Sequence, residues 1–257
     1  MVIAPLMEEI YKVPSIARIG VPDLRCASCP VHHHAVCQAL GGLYLDELAG
    51  IMTHRHFEAG TEIVHQGETS HLFGIIASGV VKLTRLLPDG RQHIVCLLSE
   101  TDCIGDVFSS QSHDNAMCVT DVDLCCFHRT QFDDIVKSHP TLGHHLLQRV
   151  TMDLEEARQW LTALGRKNSF EKVAMFLLWL WIEAHDHCVH APKLANDMVL
   201  HFPFSREEIA DFLGLTIETV SRNISRLDAD GVIMLVNAKC IEIRHLDRLR
   251  QIAESDF

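Results

Sequence analysis

The stretch FSREEIADFLGLTIETVSRNISRLDADGVI, residues 204–233, holds two helical patterns separated by a tight break. Ser205 is a good helix N-cap, and Glu208 three residues on completes a capping box. Ile209, Ala210, Phe212 and Leu213 supply the buried face of the first helix. Gly214 stands where the chain must turn sharply. Thr216 caps a second helix with Val220, Ile224 and Leu227 on its inner side. Two short helices joined by a glycine-containing turn are a helix-turn-helix. Asp230-Gly231 then leads into VIMLVNAKCIEIR, 232–244, a strand, turn and strand that would form a wing.

The second helix of such a unit lies in a DNA major groove with its N-terminal residues at the base edges. Glu218, Ser221 and Arg222 occupy its outer side at i, i+3 and i+4. Arginine pairs bidentately with guanine, glutamate accepts from cytosine N4, and serine suits either role. As ordinary surface residues, Glu218 and Arg222 would instead form an i,i+4 ion pair worth a few tenths of a kcal/mol. The surrounding motif favours base reading by these three. Arg206, Arg226 and Lys239 are weaker candidates for phosphate contacts.

Upstream of this unit, Leu147, Val150, Leu154, Ala157, Leu161 and Leu164 alternate in steps of three and four, an a/d seam. So narrow a stripe suits a helix that pairs with its own copy, whereas a helix covered by its own domain carries a wider apolar face. Asp153, Glu155 and Glu156 flank the seam and would repel across such a dimer. GRKNS, 165–169, ends the pattern as a hinge, and one more apolar helix and a polar loop follow to about residue 200. Before the seam, from Phe57 onward, glycines or Asp-Gly pairs punctuate short β-rich runs, among them HLFGIIASGVVKLTRL, 71–86, and RQHIVCLL, 91–98, joined through PDG. Short strands at this spacing predict a small β-sandwich or barrel from about 57 to 130.

The whole chain of 257 residues is 47% hydrophobic and carries a net charge of −12, which argues against broad non-specific binding to DNA or anionic membranes but leaves room for a local recognition surface. The most obvious apolar run, MFLLWLWI at 175–182, is too short to span a bilayer and reads as a buried helix. The first residues lack the basic n-region of a signal peptide, so a cytoplasmic protein is expected. There is no nucleotide-cradling glycine loop, nucleophile elbow or HExxH motif, so no enzyme is expected.

In a reducing compartment, clustered cysteines bind metal or do redox chemistry more often than they form disulfides. Of ten cysteines, three fall with three histidines in CASCPVHHHAVC, residues 26–37. Cys26, Cys29 and Cys37 form C-x2-C-x7-C. An iron–sulfur cluster normally takes four thiolates, so a fourth would come from elsewhere. Zinc could instead take the three cysteines with one of His32, His33 or His34. A non-regulatory iron–sulfur electron carrier, and a zinc-stabilised or otherwise ligand-gated DNA binder, stay open on these residues alone. Cys96, Cys103, Cys188 and Cys240 read as small buried hydrophobes.

With its order of β-rich domain, seam helix and winged helix-turn-helix, the chain resembles the CRP/FNR family of bacterial transcription regulators from about residue 42 to 250. FLGLTIETVSRNISRL is the most specific part, with EAGTEIVHQGE and IIASGVVKL close to the family pattern. The resemblance implies an α+β fold. It comprises an N-terminal cysteine segment (1–41), a cyclic-nucleotide-binding-like β-roll (42–138), a dimerisation helix and hinge (139–168), and a winged helix-turn-helix domain (169–257). Glu218, Ser221 and Arg222 are similar to the set of the FNR and FixK branches, which implies a palindrome of the TTGAT-N4-ATCAA kind. Within TDVDLCCFHRTQFDDI, Cys125 falls on the branch's fourth ligand position, Cys126 would point the other way on a strand, and Cys118 is a weaker substitute. The resemblance then implies an oxygen-responsive regulator. Its oxygen-labile 4Fe-4S cluster, on Cys26, Cys29, Cys37 and Cys125, favours the homodimer and its binding to double-stranded DNA. It also implies contact with RNA polymerase through exposed β-roll loops, with LPDGRQ at 87–92 a candidate. IGDVFSSQSHDNAMCVTDVD, 104–123, has no arginine to hold a phosphate, so a cyclic nucleotide is not expected.

Overall fold

The computed structural model describes residues 45–86, 88, 90, 92–105, 111–186, 199–237 and 240–254. The chain forms two compact units that divide between Asp153 and Leu154, inside one continuous helix.

The first unit opens with helix α1 (Leu45–Ile51) and strands β1 (Met52–Phe57), β2 (Glu62–Val64), β3 (Leu72–Ser78), β4 (Val81–Leu86), β5 (Gln92–Leu98), β6 (Cys103–Ile104), β7 (Asn115–Cys118) and β8 (Val122–His128). Helix α2 (Arg129–Ser138) and the long helix α3 (Pro140–Arg166) follow. One sheet has the order β1-β8-β3-β6 and the other β2-β7-β4-β5, all antiparallel. The β-region begins at Met52, earlier than the sequence pattern suggests. MTHRHF is an edge strand with its middle four residues exposed, so it lacks the apolar alternation that marks a half-buried strand. The run 71–86 breaks at Gly79 into β3 and β4, which belong to different sheets. Only glycine fits there: φ is +97°, and a Cβ would come within 2.2 Å of the Asp121 carbonyl oxygen.

Two cores follow from the alternation along β3 and β8. Ile76, Val81, Ile104, Val122, Leu124 and Cys126 belong to one, fed by strands of both sheets. Phe73, Ile75, Ala77, Cys125 and Phe127 face the other way and share a core with Leu48 of α1, Phe132 of α2 and Leu142 of α3.

The second unit contains the C-terminal part of α3, helix α4 (Ser169–Asp186), β9 (Val199–His201), α5 (Arg206–Leu213), α6 (Ile217–Ala229), β10 (Ile233–Asn237), β11 (Cys240–Ile243) and α7 (Leu246–Ala253). MFLLWLWI lies in α4, where Val173 through Leu180 are buried. A three-stranded sheet of order β10-β11-β9 closes the unit. Among the described residues, no helix is long and apolar enough to cross a membrane.

Candidate functional site

The local chemistry read from residues 204–233 is the chemistry that shapes α5 and α6. Ser205 Oγ accepts from the Glu208 backbone N–H at 3.1 Å, and Glu208 Oε2 accepts from the Ser205 N–H at 2.8 Å, a closed capping box. Gly214 ends α5 in the left-handed region, φ +63° and ψ +39°. Thr216 caps α6 by accepting from the Thr219 N–H. Ile209, Ala210, Phe212, Leu213, Val220, Ile224 and Leu227 are all buried. Asp228 Oδ1 accepts from the Leu235 N–H at 3.0 Å and ties α6 to the β10–β11 wing.

With its inner face buried, α6 presents Glu218 and Arg222 to solvent and leaves Ser221 half-buried. Hydrogen bonds from the N-terminal backbone of the helix and from Thr216 hold the Glu218 carboxyl below the usual range, so it is an acceptor at neutral pH. Arg222 Nη2 lies 3.4 Å from Thr219 Oγ1. Ile217, which the sequence reading did not single out, is 44% exposed beside Glu218. Its signal was an apolar residue directly after the N-cap and off the Val220–Ile224–Leu227 stripe; such a group suits a thymine methyl. Two of the phosphate candidates have partners in the fold: the Arg226 guanidinium stacks on Phe170 at 4.1 Å and lies 3.8 Å from Asp230, and that of Arg206 sits 5.2 Å from the Phe202 ring centre. Lys239 lies outside the described residues.

On α3, Leu147, Val150, Leu154 and Leu161 are 64%, 60%, 50% and 73% exposed. Ala157 is exposed and Leu164 half-buried. The acidic flank is engaged within its own chain. Asp153 lies 2.8 Å from Arg149, Glu155 lies 3.4 Å from Arg158, and Glu156 Oε1 accepts from Trp179 Nε1 at 3.0 Å. Glu156 therefore has a structural bond to lose, which a purely repulsive role would not include.

Cys26, Cys29, Cys37 and the histidine run 32–34 lie outside the described residues. Cys125 and Cys126 point to opposite faces of β8, as a strand requires. Cys125, 8% exposed, is on the face covered by the helices. Cys118 and Cys126 are inside the other core, where burial raises both thiols, that of Cys126 to about 11. Among the described residues, no three His, Cys, Asp or Glu side chains converge as metal ligands.

The β-roll holds a cavity of about 180 Å³ lined by Val64, Ser70, Leu83, Ile104, Gln111 and Asp114, among others. Arg85 Nε donates to Asp114 Oδ1 at 2.8 Å, so this nearby guanidinium is already committed to a carboxylate.

A β-roll, an exposed-seam helix and a winged helix-turn-helix define a DNA-binding regulator. Family models agree: a Crp-like helix-turn-helix domain matches residues 171–252, and a cyclic nucleotide-binding domain matches residues 54–139. A probable transcriptional activator of Rhizobium leguminosarum bv. viciae is 40% identical over 91% of this chain and 94% of its own. The transcriptional activator protein FnrL of Cereibacter sphaeroides is 33% identical over 96% of each chain. The solved structure of FixK2 from Bradyrhizobium japonicum aligns with a TM-score of 0.71 at 26% identity, covering 80% of this chain and all of that one. The chain belongs to the CRP/FNR family of transcription regulators.

Proposed function

We propose that the protein is an oxygen-responsive transcriptional activator of the FNR/FixK type. It carries a 4Fe-4S cluster on Cys26, Cys29, Cys37 and Cys125, and it binds TTGAT-N4-ATCAA-type sites as a homodimer. The observation that carries this reading is the orientation of Cys125. Of the two adjacent thiols on β8, it is the one sharing a core with Leu48 of α1, the helix that follows the cysteine segment. Cys37 precedes Leu45 by eight residues, so the chain between them spans at most about 29 Å. Four thiolates of this kind suit an iron–sulfur cluster, which supplies sensitivity to oxygen when bound. This chain's residues supply the rest. Cys125 joins the N-terminal segment to the face on which α1, α2 and α3 pack, and α3 carries the seam. Whatever stabilises the paired state shifts the population toward it.

Activator names among the relatives support activation, and the exposed stripe on α3 supports the homodimer. RNA polymerase would meet the LPDGRQ stretch, 87–92, of which Leu87, Asp89 and Arg91 lie outside the described residues, and Leu86 just before it is 55% exposed. In this reading the protein acts in the cytoplasm, catalyses no reaction and takes no cyclic nucleotide, and the Arg85–Asp114 pair beside the β-roll cavity supports the last point.

Anaerobic purification tests this. Iron and sulfide at about four per protomer, lost in air together with dimer and DNA affinity, is the expected result. Cys125→Ser should abolish the iron, while Cys126→Ser and Cys118→Ser retain it. A colourless protein with one zinc and air-stable DNA binding overturns the oxygen switch.

A further inference from the structure

The C-terminal half of α3 has a second face. Opposite the exposed Leu154 and Leu161, Ala163 is buried and Glu156 and Trp160 are half-buried. The Trp160 ring meets Phe212 edge-on with centroids 4.8 Å apart, and Trp179 edge-on at 6.2 Å. Trp179 is 6% exposed, and its Nε1 donates to Glu156 Oε1 at 3.0 Å. Phe176 closes the cluster, 6.0 Å from Trp179 and 5.7 Å from Phe212. Phe212 belongs to α5, the first helix of the helix-turn-helix, and is next to the fully buried Leu213. One side of this half-helix is therefore bolted to the DNA-reading motif by a hydrogen-bonded aromatic cluster, and the other side is the seam.

We infer that Trp160, together with Glu156 acting through Trp179, is a positioning residue for DNA reading. It sets the angle of each recognition helix to the seam and so fixes the half-site spacing that the dimer accepts. The inference rests on the homodimer reading above. Its physical basis is that dimers reach two half-sites about one helical turn apart. One added base pair moves a half-site by about 3.4 Å and rotates it by about 35°. A rigid aromatic joint cannot follow that change, whereas a loosened one can. Edge-to-face ring pairs and an indole N–H bound to a carboxylate supply such directional stiffness.

The test uses the anaerobically purified full chain and three duplexes: TTGAT-N4-ATCAA and its N3 and N5 counterparts. The wild type is expected to bind the N4 duplex at least about tenfold more tightly than the others, the scale of one mismatched base pair. Trp160→Ala should compress that ratio to about twofold while the dimer mass and the affinity for a single half-site stay unchanged. Trp160→Phe retains a ring, and Glu156→Gln retains an oxygen for the Trp179 N–H, so both should keep the discrimination. Glu156→Ala leaves every ring in place and should loosen it, so the inference stands or falls even if Trp160→Ala does not fold. Full spacer discrimination in Trp160→Ala or Glu156→Ala dimers, or an equal loss on all three duplexes, overturns the inference alone. A monomeric wild type that ignores spacing overturns the homodimer reading and this inference with it.

Discussion

Replacing Arg149 by leucine should open the turn before β6. Arg149 Nη2 donates to Asp102 Oδ1, and both side chains are only 14% exposed. The turn is strained: Thr101 is a buried, β-branched residue at φ +78°. The Thr101 N–H donates to the Ile76 carbonyl at 2.9 Å, and the Ile76 N–H donates to the Asp102 carbonyl at 2.9 Å. Breaking a buried ion pair from one side costs about 3–5 kcal/mol, because the remaining charge stays desolvated. Asp102 keeps one compensation, since Oδ2 accepts from the Ser99 N–H at 2.7 Å. The lower end, about 3 kcal/mol, is therefore expected. At 1.4 kcal/mol per factor of ten, amide hydrogen exchange at Thr101 should accelerate about 150-fold. Asp153, the other carboxylate on Arg149, has a side chain 53% exposed and stays solvated, so adding Asp102→Asn to Arg149→Leu removes the desolvated charge and should bring the rate back to within about fivefold of wild type. All three tryptophans lie beyond Leu154, in the second unit, so their fluorescence provides an independent control for distant damage. An acceleration below about threefold in Arg149→Leu, or a double variant as fast as the single, would mean that the Arg149–Asp102 pair does not hold the turn.

Three further outcomes follow from the site and the cores. Arg222→Ala should weaken binding to the cognate duplex about tenfold or more and flatten the preference at one guanine, with little change on unrelated DNA; competition binding reads this. Gly214→Ala should cost about 1–2 kcal/mol in chemical denaturation, since φ is +63° while a Cβ meets nothing within 4 Å, and Gly214→Asn should cost less. Burial raises the Glu100 carboxyl above its ordinary value, so the native state holds that proton more tightly than the unfolded chain. Stability is then lost as pH rises from the ordinary carboxylate value through the raised one, and Glu100→Gln should raise the melting temperature at neutral pH but not below the carboxylate range. Calorimetry across pH checks the sign.

The helix-turn-helix was legible in the sequence because each of its determinants is local. Ser205 and Glu208 are one turn apart, Gly214 acts through its own φ, and Val220, Ile224 and Leu227 need only the helical period. The seam on α3 was legible as a period for the same reason. Its narrowness also pointed to a stripe that its own domain leaves uncovered, but the exposure of each leucine depends on what the rest of the chain covers. The acidic flank shows the limit more sharply. Beside the seam, Glu156 reads as a source of repulsion, yet its carboxylate meets an indole 23 residues further on. Arg226 reads as a weaker candidate for a phosphate contact, and nothing in the local pattern announces that it stacks on Phe170. Alternation on a strand predicts that Cys125 and Cys126 face apart, but not which one faces the helices. That depends on β8 pairing with β1 and β3, across more than sixty intervening residues in the first case. Interactions that close within a turn of chain are written in the sequence. The surroundings of a thiol, a carboxylate or a guanidinium are set by contacts between distant segments, and only the tertiary structure decides those.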